Sequence, residues 1–138
     1  MEHVANDLSK MNETHEATIV MAGSNNIGND RSAALRLKFR SLICKLSEKK
    51  SPSIVMGILP RLGAGKYWTT QAREINRWLQ IKCVERGILF IDLFDKFYNS
   101  RFLYKYDGIH LNENGKTYIC EVFNEILNEH SIFKPFLA

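Results

Sequence analysis

Asp107 and His110 are the residues whose types and spacing are best suited to chemistry. An aspartate three residues before a histidine in a tight turn can accept a hydrogen bond from the imidazole Nδ1. That bond fixes the tautomer and leaves Nε2 available as a general base. The pair therefore predicts a base and the carboxylate that orients it. Because such a pair is common by chance, its place in the fold decides how much weight it carries.

A second group of polar residues follows the first apolar run of the chain. Asn25 stands on a turn flanked by Gly23, where its side-chain amide can donate to a developing oxyanion. We interpret Ser24, between them, as a turn residue and not as a nucleophile. Together with Asp107 and His110 these residues supply a base, its orienting group and an oxyanion donor. They supply no activated nucleophile.

The rest of the chain alternates between short apolar runs and amphipathic stretches. The apolar runs predict three strands buried on both faces, at residues 17–22, 53–59 and 88–91. Apolar spacings of three and four predict three helices, starting near Asp30 or Ser32 and ending near 48, then at about 70–86 and 113–129. Residues 92–110 are predicted to be loop. This alternation predicts a parallel sheet covered by helices, with ligands at the carboxyl ends of its strands.

Composition narrows the function classes. The 138 residues carry a formal net charge of +4, and their three cysteines are scattered without the spacing of a metal site. Neither a leader nor a membrane-spanning run is evident, so we expect a cytoplasmic protein without a membrane partner. No cofactor or metal is expected. Gly63, Ala64, Gly65 and Lys66 lack the spacing of a phosphate-binding loop.

Two segments resemble sequence blocks of the SGNH (GDSL-like) hydrolase superfamily. Residues 19–26 end in Gly-Ser-Asn-Asn, similar to the family's Gly-x-Asn-Asp, and residues 107–112 contain its Asp-x-x-His. Residues 58–61 and 90–93 are similar to what the family places between these blocks. The resemblance covers residues 17 to about 130. It looks closest to the esterase-like domains of vertebrate non-LTR retrotransposons.

The resemblance implies a three-layer α/β/α, flavodoxin-like parallel sheet and a serine esterase or acyl-hydrolase activity on a small ester. It implies His110 as the base, Asp107 as its orienting group, and Asn25 with Gly23 in the oxyanion hole. Asn26 departs from the family's usual aspartate at that position. The matched blocks require no cofactor.

Two blocks of the family have no counterpart in residues 1–16: the first, which carries the nucleophile, and the second, which contributes a glycine N–H to the oxyanion hole. The Gly-Asp-Ser that supplies the nucleophile is absent, and Ser9 lies too close to the first strand for a parallel crossover. We therefore expect an N-terminally truncated domain, inactive alone, with an arm at 1–16, the partial domain at 17–130 and a tail at 131–138. Its unpaired sheet edge is expected to favour self-association.

A non-catalytic reading stands beside the enzymatic one. The chain is then a truncated, transposon-derived remnant that acts as an interaction module or has no role, or it is a module that binds nucleic acid through basic helix faces. Arg36 with Arg40 and Arg73 with Arg77 repeat at helical spacing, although solvated helix faces usually have this pattern.

Overall fold

The computed structural model of the chain describes residues 17–21, 23 and 32–129. Its strands form one parallel sheet in the order β1-β2-β3. The strands are β1 (Thr18–Met21), β2 (Ser53–Met56) and β3 (Leu89–Ile91). The helices are α1 (Ser32–Ser47), α2 (Lys66–Glu85), α3 (Phe94–Tyr98) and α4 (Glu113–Glu129). The predicted arm at 1–16, the tail at 131–138 and the cap at Asp30 lie outside the described residues.

Apolar spacing positions the long helices on the sheet as predicted. In α1 the buried residues Leu35, Phe39, Leu42 and Leu46 share the face that contacts the core. Helix α2 begins at Lys66, four residues before the predicted start near 70. It ends as predicted before Gly87, whose φ of +70° is a conformation that favours glycine. There the N–H of Gly87 donates to Val84 and that of Ile88 to Cys83, which closes the helix.

The sheet lies between two helical layers, so the three-layer prediction is confirmed. Helices α1 and α2 pack on one face, where they bury Val20 and Val55. Helices α3 and α4 cover the other face, where Ile54, Met56 and Ile91 are buried. Trp68 and Trp78 pack against the first core, as expected of structural aromatics.

The prediction of an unbroken loop at 92–110 is wrong. The segment contains α3 and a short 3-10 turn at Arg101–Leu103. Asp92 initiates α3 because its Oδ1 accepts the backbone N–H of Phe94 at 3.0 Å. Phe94 and Phe97 are both buried, so one turn of helix is stabilised by the core. Five residues are too few to give a periodic signal in the sequence.

The first two strands differ in how deeply they are buried. All four residues of β2 are buried, whereas β1 alternates between buried and exposed residues. Ile19 and Met21 are 37% and 46% exposed. In the described part of the chain β1 pairs only with β2, so its other edge has no strand beside it. No helix among the described residues is long and apolar enough to cross a membrane.

Candidate active site

Asp107 accepts three hydrogen bonds from the turn that it opens. Its Oδ2 lies 2.5 Å from His110 Nδ1, and its Oδ1 accepts the backbone N–H groups of Ile109 at 2.8 Å and His110 at 3.0 Å. A carboxylate can only accept, so the proton of the neutral ring lies on Nδ1. His110 Nε2 is then the nitrogen that can take up a proton.

These hydrogen bonds also set the charge of the carboxyl group. The side-chain bond from His110 lowers the pKa of Asp107 well below its usual range, and the two backbone N–H groups lower it further. Asp107 is therefore an anion at neutral pH. It stabilises a positive charge on the imidazole without taking its proton.

The loop around the pair is held by hydrogen bonds to its own backbone carbonyl groups. Arg101 donates to the carbonyl oxygens of Lys105 at 3.0 Å and Tyr106 at 2.6 Å. The N–H of Lys105 donates to the carbonyl of His110 at 2.7 Å, which closes the turn. These hydrogen bonds, all within ten residues of the chain, shape the turn that carries His110.

Two further bonds hold this loop against the segment that follows β2. The N–H of Leu62 donates to the carbonyl of Gly108 at 2.9 Å, and the Tyr104 hydroxyl donates to the carbonyl of Pro60 at 2.6 Å. Burial raises the pKa of Tyr104 above its ordinary value, so the hydroxyl remains a donor. The Asp107/His110 pair therefore lies at the carboxyl edge of the sheet, as predicted.

Gly108 is needed at this contact. Its φ is +71°, and a Cβ built on it would lie 2.9 Å from the carbonyl oxygen of Leu62. Any other residue is strained in this conformation and also crowds the segment after β2.

Asn112 and Asn76 are supporting residues that the sequence did not single out by role. Asn112 Oδ1 accepts the N–H of Gly115 and caps α4, while its amide donates to the carbonyls of Phe102 and Tyr104. Asn76, on α2, is buried and exchanges two hydrogen bonds with the backbone of Ile58. Buried asparagine in an apolar helix face is the signal that identifies Asn76.

The predicted oxyanion residues are only partly within the described structure. Gly23 is described, half-buried and just beyond β1, while Asn25, with Ser24 and Asn26, lies outside the described residues. No described contact joins Gly23 to the Asp107/His110 pair. The participation of both residues in an oxyanion hole stays a prediction.

His110 Nε2 has open surroundings. The His110 side chain is 71% exposed, and no hydroxyl or thiol of the described residues forms a hydrogen bond with Nε2. Burial raises the pKa of the Cys83 thiol to about 11, which keeps it protonated and unreactive. The described residues also contain no group of three His, Cys, Asp or Glu side chains suited to a metal. The described site thus consists of an exposed imidazole and the carboxylate that is hydrogen-bonded to it.

Comparisons with known proteins agree with this class of site. A profile of the GDSL-like lipase/acylhydrolase family matches residues 4–117. The chain therefore belongs to that family. A comparison with curated protein sequences finds no match.

Two solved structures have folds similar to this chain. The first is the esterase domain of the ZfL2-1 ORF1 protein from the zebrafish ZfL2-1 retrotransposon, with 27% identity and a TM-score of 0.64 over 78% of this chain. The chain spans 66% of the length of that domain. The second is a protein from Lactobacillus plantarum, with 14% identity and a TM-score of 0.68, covering 91% of this chain and 73% of the other. This second likeness concerns the fold alone.

Proposed function

We propose that this chain is the base-bearing part of an ester hydrolase, with His110 as general base and Asp107 as its orienting group. The observation that carries the proposal is the 2.5 Å contact between Asp107 Oδ2 and His110 Nδ1, with Nε2 open to solvent. Membership of the acylhydrolase family and likeness to an esterase domain support ester hydrolysis as the reaction class.

In the proposed reaction His110 Nε2 removes the proton of a serine hydroxyl as that oxygen attacks the ester carbonyl. The imidazolium that forms is stabilised by the Asp107 anion, and it then protonates the leaving alcohol. Water attacks the acyl-serine in the second half of the reaction, with His110 again the base. By family resemblance, Asn25 donates to the oxyanion in both halves, and Gly23 lies beside it in the oxyanion hole.

The nucleophile is the part of this scheme that the described residues do not supply. The sequence contains no Gly-Asp-Ser, and the chain spans only 66% of the zebrafish esterase domain. We therefore propose that residues 1–138 alone do not hydrolyse esters. A segment outside this sequence, from the same protein or a second chain, completes the site.

A chimera tests both parts of the proposal. The part of the zebrafish esterase domain that this chain does not match is fused to residues 17–130. We expect the chimera to hydrolyse a short activated ester in imidazole-free buffer, and residues 1–138 alone to stay at background. Loss of the chimera's activity in His110→Ala but not in His130→Ala supports the assigned base. A folded chimera that is inactive contradicts the proposal.

The hydrogen-bonded pair has its own test, which needs no nucleophile. A proton shared between Nδ1 and a carboxylate resonates far downfield in the ¹H NMR spectrum. We expect such a signal in residues 1–138 and its absence in Asp107→Asn. If the signal is missing from the folded wild-type chain, the base is not assembled. The non-catalytic reading then replaces the enzymatic one.

A further inference from the structure

The two helical layers carry charges of opposite sign. Helix α1 has four basic residues and no acidic one, and α2 has four basic and two acidic residues. Across the sheet, α4 has four glutamates and one lysine. The sheet thus separates a basic layer, formed by α1 and α2, from an acidic helix. A net charge of +4 does not by itself produce such a division.

Helix dipoles explain only part of the basic layer. Lys45 and Lys82 lie in the last turns of α1 and α2, where a cation interacts favourably with the helix C-terminus. Arg36, Arg40 and Arg77 lie in helix interiors, where this effect has decayed. The helix dipole therefore does not account for these three residues.

A cleft between the two helices concentrates this charge. It has a volume of about 270 Å³ and is lined by Arg40, Ile43, Cys44, Lys82, Glu85 and Arg86. Lys82 Nζ lies 3.4 Å from Glu85 Oε2, so these two charges offset each other. Among the described residues no carboxylate forms an ion pair with Arg40 or Arg86. An anion entering the cleft would meet two guanidinium groups that the described carboxylates leave unneutralised.

Trp78 restricts how this surface can recognise a ligand. The guanidinium groups of Arg36 and Arg40 lie over its ring, at 5.8 and 5.6 Å from the centroid. The ring is therefore covered and cannot serve as a platform for a nucleic-acid base. Contact with the ring orients the guanidinium groups, and the planar donor set of Arg40, which lines the cleft, suits phosphate oxygens.

We propose that the basic layer binds the phosphate backbone of a nucleic acid, without reading its sequence. Phosphate contacts by Arg and Lys provide affinity and register but no base discrimination. An anionic membrane suits this surface less well. A membrane-surface helix needs a free apolar face, and the apolar faces of α1 and α2 are buried against the sheet. The large apolar side chains exposed on the outside of these helices are few: Leu37 on α1, and Tyr67, Ile81 and Val84 on α2.

A pair of charge reversals at the cleft tests the proposal. Binding of a short fluorescein-labelled RNA duplex is followed by anisotropy between about 50 and 200 mM salt. We expect wild-type binding that weakens steeply with salt. Arg40→Glu with Arg86→Glu should weaken binding more than tenfold and lower the salt slope by about two.

Lys96→Glu with Lys116→Glu is the matched control. It changes the net charge by the same amount on the opposite helices and leaves the cleft intact. We expect this variant to lose much less affinity than the cleft variant, with both variants folded by circular dichroism. Equal losses would mean that net charge alone attracts the duplex, which overturns the proposal.

Three further outcomes also overturn it. One is the absence of duplex binding at low salt. Another is uptake of the wild type by phosphatidylserine vesicles with no duplex binding. The last is salt-sensitive self-association that Arg40→Glu abolishes, again with no duplex binding, since the basic layer then contacts the acidic helix of a second copy. His110→Ala should bind the duplex normally, so this result is independent of the proposed esterase chemistry.

Discussion

The carboxyl edge of the sheet has two ends of different construction. At the end that bears His110, two hydrogen bonds, Leu62 to Gly108 and Tyr104 to Pro60, join the loop of Asp107 and His110 to the segment after β2. At the β1 end, the described strand pairs on one side only and exposes Ile19. The described hydrogen bonds that hold Asp107 and His110 involve no residue of β1. The pair can therefore keep its geometry whatever lies beside β1.

The largest expected difference is in how much truncation of a strand side chain lowers the free energy of unfolding. Ile19 and Ile54 are partners in the β1–β2 register, yet Ile54 is fully buried and Ile19 is 37% exposed. We expect Ile54→Ala to lower the free energy of unfolding by about 3 kcal/mol, because it leaves a cavity in the core. Ile19→Ala should cost less than about 1 kcal/mol.

Urea denaturation of the two variants measures this difference directly. Comparable losses would show that Ile19 is covered in solution. Self-association through the β1 edge, which the sequence led us to expect, is one way in which Ile19 could be covered. A loss of unfolding free energy in Ile19→Ala that grows with protein concentration would identify such self-association.

A second test concerns the segment after β2, to which the loop of Asp107 and His110 is bonded. Asn76→Ala removes both hydrogen bonds to Ile58 and leaves its buried N–H and C=O groups unpaired. We expect a loss of about 2–3 kcal/mol in the free energy of unfolding. Asn99→Ala, which removes one exposed bond to Asp95, should cost less than about 0.5 kcal/mol. A loss no larger than that of the control would show that Asn76 does not hold this segment.

How far the sequence reached follows from the range of each interaction. Continuous apolar runs predicted the three strands, although β1 is buried on one face only. Apolar spacing predicted the long helices, because burial of one helix face imposes a period. The alternation of strands and helices predicted the fold class. The Asp107/His110 contact was also predictable, because the two residues are only three positions apart. The contacts Asn76–Ile58 and Tyr104–Pro60 join residues 18 and 44 positions apart, which local patterns do not encode. Helix α3 was not predicted because its five residues are too few to show a period. Its stability comes from the burial of Phe94 and Phe97.

The contact between Gly108 and Leu62 gives a prediction of intermediate size. Gly108→Ala places a Cβ against the Leu62 carbonyl in a left-handed backbone conformation, so we expect a loss of about 2 kcal/mol. The control is Gly63→Ala, which has a similar positive φ but no atom within 4 Å of the added Cβ. It should lose only about 1 kcal/mol.

The downfield Nδ1 proton signal shows whether a glycine variant only strains its own backbone or also displaces the Asp107/His110 pair. We expect the signal to shift or broaden in Gly108→Ala and to stay unchanged in Gly63→Ala. An unchanged signal in both would mean that the Asp107/His110 pair keeps its geometry without support from the segment after β2. The construction of the base end would then be more local than the hydrogen bonds indicate.

The smallest expected effect concerns the charge of Asp107. Because the pKa of Asp107 is lowered in the folded chain, the ionised carboxyl stabilises the fold at any pH above its unfolded value of about 3.9. That contribution is lost as the pH falls below this value toward the lowered pKa. The urea midpoint of the wild type should therefore exceed that of Asp107→Asn at pH 6, and the two should converge in strong acid. Since the His110 side chain is the main cause of the lowered pKa, the same substitution made in a His110→Gln background should show a smaller pH dependence. If the pH dependence were just as large in that background, the stabilisation would come from the backbone N–H groups of Ile109 and His110. The main effect of the carboxylate would then be to stabilise the turn and not the imidazole.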